Sequence, residues 1–157
     1  MSQENVEIVR RIFPGTIDMV ALFGNPDLLA ATREGIEPFV EPEFETVGDP
    51  DAIPMGPNIG VEGGPRNLFA KGVDGFLNFW RDWISAWESW NLGPPEFIDV
   101  DENRVLVSYE VRARSKTDQV EVTIEAANLM TLRNGKLTRL ELFFNRDKAL
   151  EAAGLSE

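Results

Sequence analysis

The chain has 157 residues, 43% of them hydrophobic, which is enough for one domain with a real core and too many for disorder. Its 27 Asp+Glu against 15 Lys+Arg give a formal net charge of −12, a surface that repels nucleic acid and anionic membranes alike. With neither Cys nor His, it has no disulfide framework, no thiolate nucleophile, no imidazole base and few of the usual zinc or iron ligands. No acidic calcium-type loop or phosphate-binding glycine loop is present, so no metal and no cofactor is expected. The first residues lack a basic region followed by an apolar run, and no stretch approaches membrane-spanning length. The expectation is one cytoplasmic domain over residues 1–157.

Ser2 is placed to cap a helix from Gln3, with Glu4 and Glu7 complementing its dipole and Val6, Val9, Ile12 and Phe13 as its apolar stripe. Pro14-Gly15 interrupts it, and Ile17–Phe23 is apolar again. Asn25-Pro26 reads as an N-cap followed by Pro in the first turn, giving a short helix Asp27–Glu34 that stops near Gly35. A short strand Phe39–Val47 follows, with Phe44 and Thr46 on one face and Glu43 and Glu45 on the other. Gly48–Gly72 holds Pro50, Pro54, Pro57 and Pro65 and exceeds the length of an ordinary connection, which makes it a candidate lid. Asp74–Trp90 reads as a long amphipathic helix on which Phe76, Trp80, Trp83 and Trp87 share a stripe. Gly93-Pro94-Pro95 ends it.

The last third reads as three strands. On Arg104–Ser115, Val107, Tyr109, Val111 and Ala113 form one face, and Ser108, Glu110, Arg112 and Arg114 the other. On Val120–Arg133, the face of Val122, Ile124, Ala126, Met130 and Leu132 also carries Asn128. An amide on an apolar face needs a partner, because burying it unpaired costs roughly 2–7 kcal/mol. A turn near Lys116–Gln119 sets Arg114 opposite Glu121 and Tyr109 opposite Ala126. Tyr109 is then a diagonal neighbour of Asn128, within hydrogen-bond reach. Asn134-Gly135 suggests a type I′ hairpin, but that register sets Asn128 against Glu141 and scrambles both faces. A three-residue loop, Arg133-Asn134-Gly135, instead pairs Ala126 with Leu142 and Asn128 with Leu140, and is the reading preferred. Asn145 caps a final helix, Asp147–Ala153, stopped by Gly154. Helices followed by sequential antiparallel strands indicate an α+β domain with its helices on one face.

Two blocks carry a family likeness: Gly72-Val-Asp-Gly75-Phe-Leu-Asn-Phe-Trp80-Arg-Asp-Trp83, and Thr131-Leu-Arg-Asn-Gly135-Lys-Leu-Thr-Arg-Leu-Glu-Leu-Phe-Phe-Asn145 running on to Leu155. They resemble the SnoaL-like branch of the nuclear transport factor 2-like superfamily. The resemblance implies a cone-shaped curved antiparallel sheet wrapped around a pocket closed by the N-terminal helices and a Trp-rich helix. It implies no single reaction, because the superfamily holds ketosteroid isomerases, polyketide cyclases, epoxide hydrolases, dehydratases and binders.

Mapped through that resemblance, the cyclase acid/base aspartate falls on Asn128, and so does the oxyanion aspartate of the isomerases. The isomerase tyrosine belongs in the first helix, yet Tyr109 is the only Tyr here. The isomerase base falls near Gly48, with Asp49 adjacent but out of phase; the epoxide hydrolase Arg and Asp positions fall on Tyr109, Val111 and Leu142. Candidate catalytic residues are therefore Asn128, Tyr109 and Asp49. Candidate ligand-binding residues are Phe76, Trp80, Trp83, Trp87, Tyr109, Val111, Asn128 and Leu142. The charged face of Glu110, Arg112, Arg114, Glu121, Glu125, Arg139 and Glu141 is a solvated surface or, as often in this superfamily, a homodimer interface. Three functions remain open: a binder of a small hydrophobic molecule, an isomerase- or cyclase-type enzyme using Asn128 and Tyr109 to stabilise an oxyanion, or an interaction module whose cone is filled by its own side chains.

Overall fold

The computed structural model describes residues 2–13, 15–48, 68–85, 87–117 and 119–155. Helix α1, Ser2–Ile12, is followed by a two-residue strand β1, Ile17–Asp18, and helix α2, Met19–Phe23. Asp18 caps α2, its carboxylate accepting from the Ala21 amide at 3.1 Å. Asn25 caps helix α3, Pro26–Ile36, as expected: its Oδ1 accepts from the Asp27 and Leu28 amides, each at 3.1 Å. The helix runs one residue past Gly35, then a tight turn over Glu37–Phe39 leads into strand β2, Val40–Gly48. There Phe44 and Thr46 are buried while Glu43 is exposed, the faces that the alternation implied.

The residues 49–67 lie outside the described part, and with them Asp49, Asp51 and the body of the candidate lid. The ends of that connection are strand: β3, Leu68–Lys71, runs antiparallel to β2 and sets Leu68 against Gly48. Helix α4, Gly72–Ile84, then begins at a glycine with φ of +69°, where a Cβ would sit 2.7 Å from the Pro42 carbonyl oxygen. Only glycine fits so close an approach in that conformation.

The Trp-rich helix is shorter than the stripe implied. It ends at Ile84, where Ser85 Oγ donates to the Asp82 carbonyl at 2.6 Å, and Trp87–Leu92 is strand β4. Trp87 and Trp90 are therefore strand residues. The cause of the error is a bulge: Trp87 pairs with Ser115 and Ser89 with Arg114, so β4 holds one extra residue between them. That extra residue puts Trp87 and Trp90, three apart, on one face, and a spacing of three imitates a helix.

Strands β5, Glu96–Asp99, and β6, Arg104–Ser115, follow, then β7, Glu121–Arg133, and β8, Lys136–Phe143. Among the described residues the sheet has eight strands in the order β1-β4-β6-β7-β8-β2-β3, with β5 also on β6, and every pairing is antiparallel except the parallel pair β2–β8. The β6–β7 register is the expected one, Arg114 against Glu121 and Tyr109 against Ala126.

The β7–β8 register differs. Arg133 pairs with Lys136 across a two-residue turn in which Asn134 and Gly135 both have positive φ, 53° and 77°, the type I′ geometry that had been set aside. A bulge then restores the faces: Leu132 pairs with Leu137 but Thr131 with Arg139, leaving Thr138 as the extra residue, its hydroxyl donating to the Thr131 carbonyl at 3.2 Å. Asn128 consequently lies beside Leu142 rather than Leu140, with every side chain on its expected face.

The concave face of the sheet and helices α1 to α4 enclose the main core. Helix α5, Arg146–Ala152, capped by Asn145 Oδ1 on the Lys148 amide, packs on the convex face over Leu106, Ala127, Leu129 and Phe143. Helices thus cover both faces, not one. This second cluster also explains why Ser108, expected in solvent, is buried: Arg146 donates to its hydroxyl. The remaining outer face is charged and internally paired, Arg112 with Glu110, Arg114 with Glu121 and Arg139 with Glu45.

Candidate functional site

Inside the cone lies a cavity of about 90 Å³, closed on one side by the sheet and on the other by the helices. The sheet supplies Ile17, Leu92, Tyr109, Asn128, Met130 and Leu140. The helical side supplies Ile12 and Phe13 from the end of α1, Met19, Leu22 and Phe23 from α2, Thr32 and Ile36 from α3, and Phe76, Leu77 and Trp80 from α4. Each of these elements turns its apolar stripe inward for the usual reason, the burial of about 25 cal/mol per Å² of apolar surface.

Among the described lining side chains, polar groups other than the Trp80 indole N–H come from Thr32, Tyr109 and Asn128. Thr32 satisfies its own hydroxyl by donating to the Leu28 carbonyl at 2.9 Å. Tyr109, stacked at a tilt on Phe13 with ring centroids 4.9 Å apart, donates its phenolic hydrogen to Asn128 Oδ1 at 2.9 Å. Asn128 is 6% exposed, and its Nδ2 donates to none of the described residues. One end of the amide is therefore held by the protein, and the residue itself lines the cavity.

Tyr109 is the only titratable group among the described lining residues. Burial pushes its phenol above the usual tyrosine range, and the Asn128 hydrogen bond offsets this only in part. The phenol is neutral at physiological pH and serves as a donor, not as a base. Among the described residues no cluster of three or more acidic side chains could hold a metal ion.

The structure brings Phe76, Trp80, Tyr109 and Asn128 together on the cavity wall, as the sequence suggested. Trp83, Trp87, Val111 and Leu142 are buried in the surrounding core and do not line this cavity. Trp83 and Trp87 instead form an aromatic cluster with Trp90 and Phe144, in which Trp83 and Trp90 meet edge to face at 5.4 Å. Sequence reasoning missed the contributions of α2 and α3. Their apolar residues were visible in the Ile17–Phe23 run, but nothing local says which of them the sheet would meet.

The sequence profile of a SnoaL-like domain matches residues 42–140. No curated protein matches the sequence. Solved structures share the fold along nearly the whole chain. The chain is similar to TerC, co-crystallised with polyporic acid, at 23% identity and a TM-score of 0.62, covering 96% of this chain and 98% of that one. It is similar to a nuclear transport factor 2-like protein from Burkholderia pseudomallei K96243, at 18% identity and a TM-score of 0.62, covering 94% and 95%. It is also similar to a protein of ketosteroid isomerase-like fold from Catenulispora acidiphila DSM 44928 in complex with trimethylamine, at 11% identity and a TM-score of 0.57, covering 95% and 93%. Among the described residues no helix is long and apolar enough to cross a membrane.

Proposed function

The chain belongs to the SnoaL-like family, and from the interior of its cone we infer that it binds a small, neutral, hydrophobic molecule. One observation carries this reading: a cavity whose wall is apolar apart from Thr32, Tyr109, Asn128 and the Trp80 indole N–H, with no charged side chain among the described residues that line it. A charged ligand there would forfeit hydration with no opposite charge to replace it. At about 90 Å³ the cavity is smaller than the roughly 150 Å³ space known to take up benzene, so a ligand of about one small ring is the expected fit.

An enzyme of isomerase or cyclase type would use the same two donors, Tyr109 and Asn128, at a developing oxyanion. Such chemistry also needs a base within reach; none of the described lining residues supplies one, and the candidate Asp49 lies outside the described residues. Thermal unfolding with a graded series of neutral hydrocarbons tests the binding reading. Cyclopentane, smaller than benzene, should raise the midpoint saturably, by about 3–6 °C at ten times its Kd, while two-ring compounds should not. Absence of a saturable shift across the series would return the protein to the interaction-module reading. Turnover of a β,γ-unsaturated ketone above the uncatalysed rate would replace binding with isomerisation.

A further inference from the structure

We propose that helix α3 is the door of the cavity, closed against α4 by the ion pair of Arg33 with Asp74. The proposal rests on the binding reading above and adds a route of entry and its control. Strands β4, β6, β7 and β8 give only buried residues to the wall, namely Leu92, Tyr109, Asn128, Met130 and Leu140. The helical side comes nearer to solvent. Leu22 and Phe23 of α2, Thr32 of α3 and Phe76 of α4 all line the cavity and are only half-buried. A ligand's path from water therefore runs where these three helices meet.

The helices differ in how they are held. α4 buries Val73, Leu77, Trp80, Trp83 and Ile84 and has Gly72 seated against Pro42. α3, eleven residues long, buries Ile36 alone. An element with so little buried apolar contact opens at the low end of the stability range, so α3 is the part that moves. Among the described residues a single polar link joins the two helices: the Arg33 guanidinium donates to the Asp74 carboxylate, while also reaching Glu37 at 3.4 Å beyond the end of its own helix. Arg33 follows Thr32 of the cavity wall, and Asp74 stands two residues before Phe76, so the pair spans the edge of this opening. Both side chains reach solvent, which lets salt screen the pair and limits its bias toward the closed state to about fivefold. Such a pair does not bar a ligand. It sets how often the door stands open.

The experiment follows cyclopentane by NMR as it exchanges between free and bound states in the native protein, Arg33→Gln, Asp74→Asn and the double variant. Each single variant should speed binding and release alike, by about two- to fivefold, and leave Kd unchanged, because the pair is present with and without ligand and is lost only as the door opens. The double variant should be no faster than either single one, whereas a general loosening of α4 by loss of Asp74 would add to any effect of Arg33. Raising NaCl to about 0.5 M should speed exchange in the native protein by a similar factor and leave the variants unchanged. Rates that ignore both substitutions, or a changed Kd with unchanged release, overturn the door and leave the binding reading standing. If cyclopentane does not bind the native protein, the binding reading fails and takes the proposal with it. Hydrogen exchange at the Ile36 amide of the free protein reads the same opening without ligand. It should quicken about two- to fivefold in all three variants, and an unchanged rate overturns the proposal whatever the ligand does.

Discussion

The Tyr109–Asn128 hydrogen bond should behave as a coupled pair in a double-mutant cycle. Tyr109 is 4% exposed and Asn128 6%, and the bond joins adjacent strands at 2.9 Å. Tyr109→Phe keeps the ring against Phe13 but leaves both ends of the amide unpaired, at a cost of about 1–3 kcal/mol. Asn128→Leu strands the Tyr109 hydroxyl at a similar cost, offset in part by removing an amide end that had no partner and by adding apolar contact with Met130 and Leu140, so its net effect should be about 0–2 kcal/mol. The double variant has no polar group left to strand, and should lie within about 1 kcal/mol of the native protein. The coupling, the shortfall of the double variant from the sum of the singles, should then be about 3 kcal/mol. Urea unfolding at 25 °C followed by the fluorescence of the four tryptophans measures all three variants. A coupling below about 0.3 kcal/mol, the scatter of independent sites, would refute the claim that the two groups satisfy each other.

Two further outcomes are expected. Tyr109 is the only Tyr, so tyrosinate absorbance reports on it alone; because burial raises its folded pKa, the stability it contributes is complete below about pH 10 and lost as the pH climbs past that unfolded value. Tyrosinate should therefore appear together with alkaline unfolding, and ionisation of the native fold at pH 10 would contradict the burial. Gly72→Ala should lower stability by about 1–3 kcal/mol, since φ of +69° and the Pro42 carbonyl at 2.7 Å both oppose a Cβ, and an unchanged urea midpoint would show that α4 starts differently.

What could be read from the sequence, and what could not, divides along the range of the interaction. The β6–β7 hairpin was legible to the residue because period-two alternation over two long strands allows one register that keeps both faces, and Tyr109 meeting Asn128 followed from it. The β7–β8 faces were legible for the same reason, but not the turn: a type I′ turn plus a bulge at Thr138 and a longer loop give the same inward set, so the pattern could not choose between them. Trp83, Trp87 and Trp90 failed differently. The spacing of four and then three is helical, yet the chain reaches the same aromatic cluster by ending a helix and entering a bulged strand.

The cavity itself shows why half of its wall was out of reach. Its sheet side follows from alternation, which tells a strand residue which face it is on. Its helical side depends on how α2 and α3 lie over the sheet, and a helix five residues long such as α2 has too little periodicity to declare a buried face. Met19, Leu22 and Phe23 were recognisable as apolar, not as neighbours of Asn128. The consequence is chemical as well as geometric. A mapping that saw only the sheet could ask whether Asn128 was a core amide or a ligand contact, as though the two excluded each other. With the helices in place Asn128 is both: its Oδ1 is held in the core by Tyr109, and the residue lines the space that Phe23 and Trp80 help to enclose. A residue that the sheet alone made a choice between core and cavity belongs, once the helices are placed, to both.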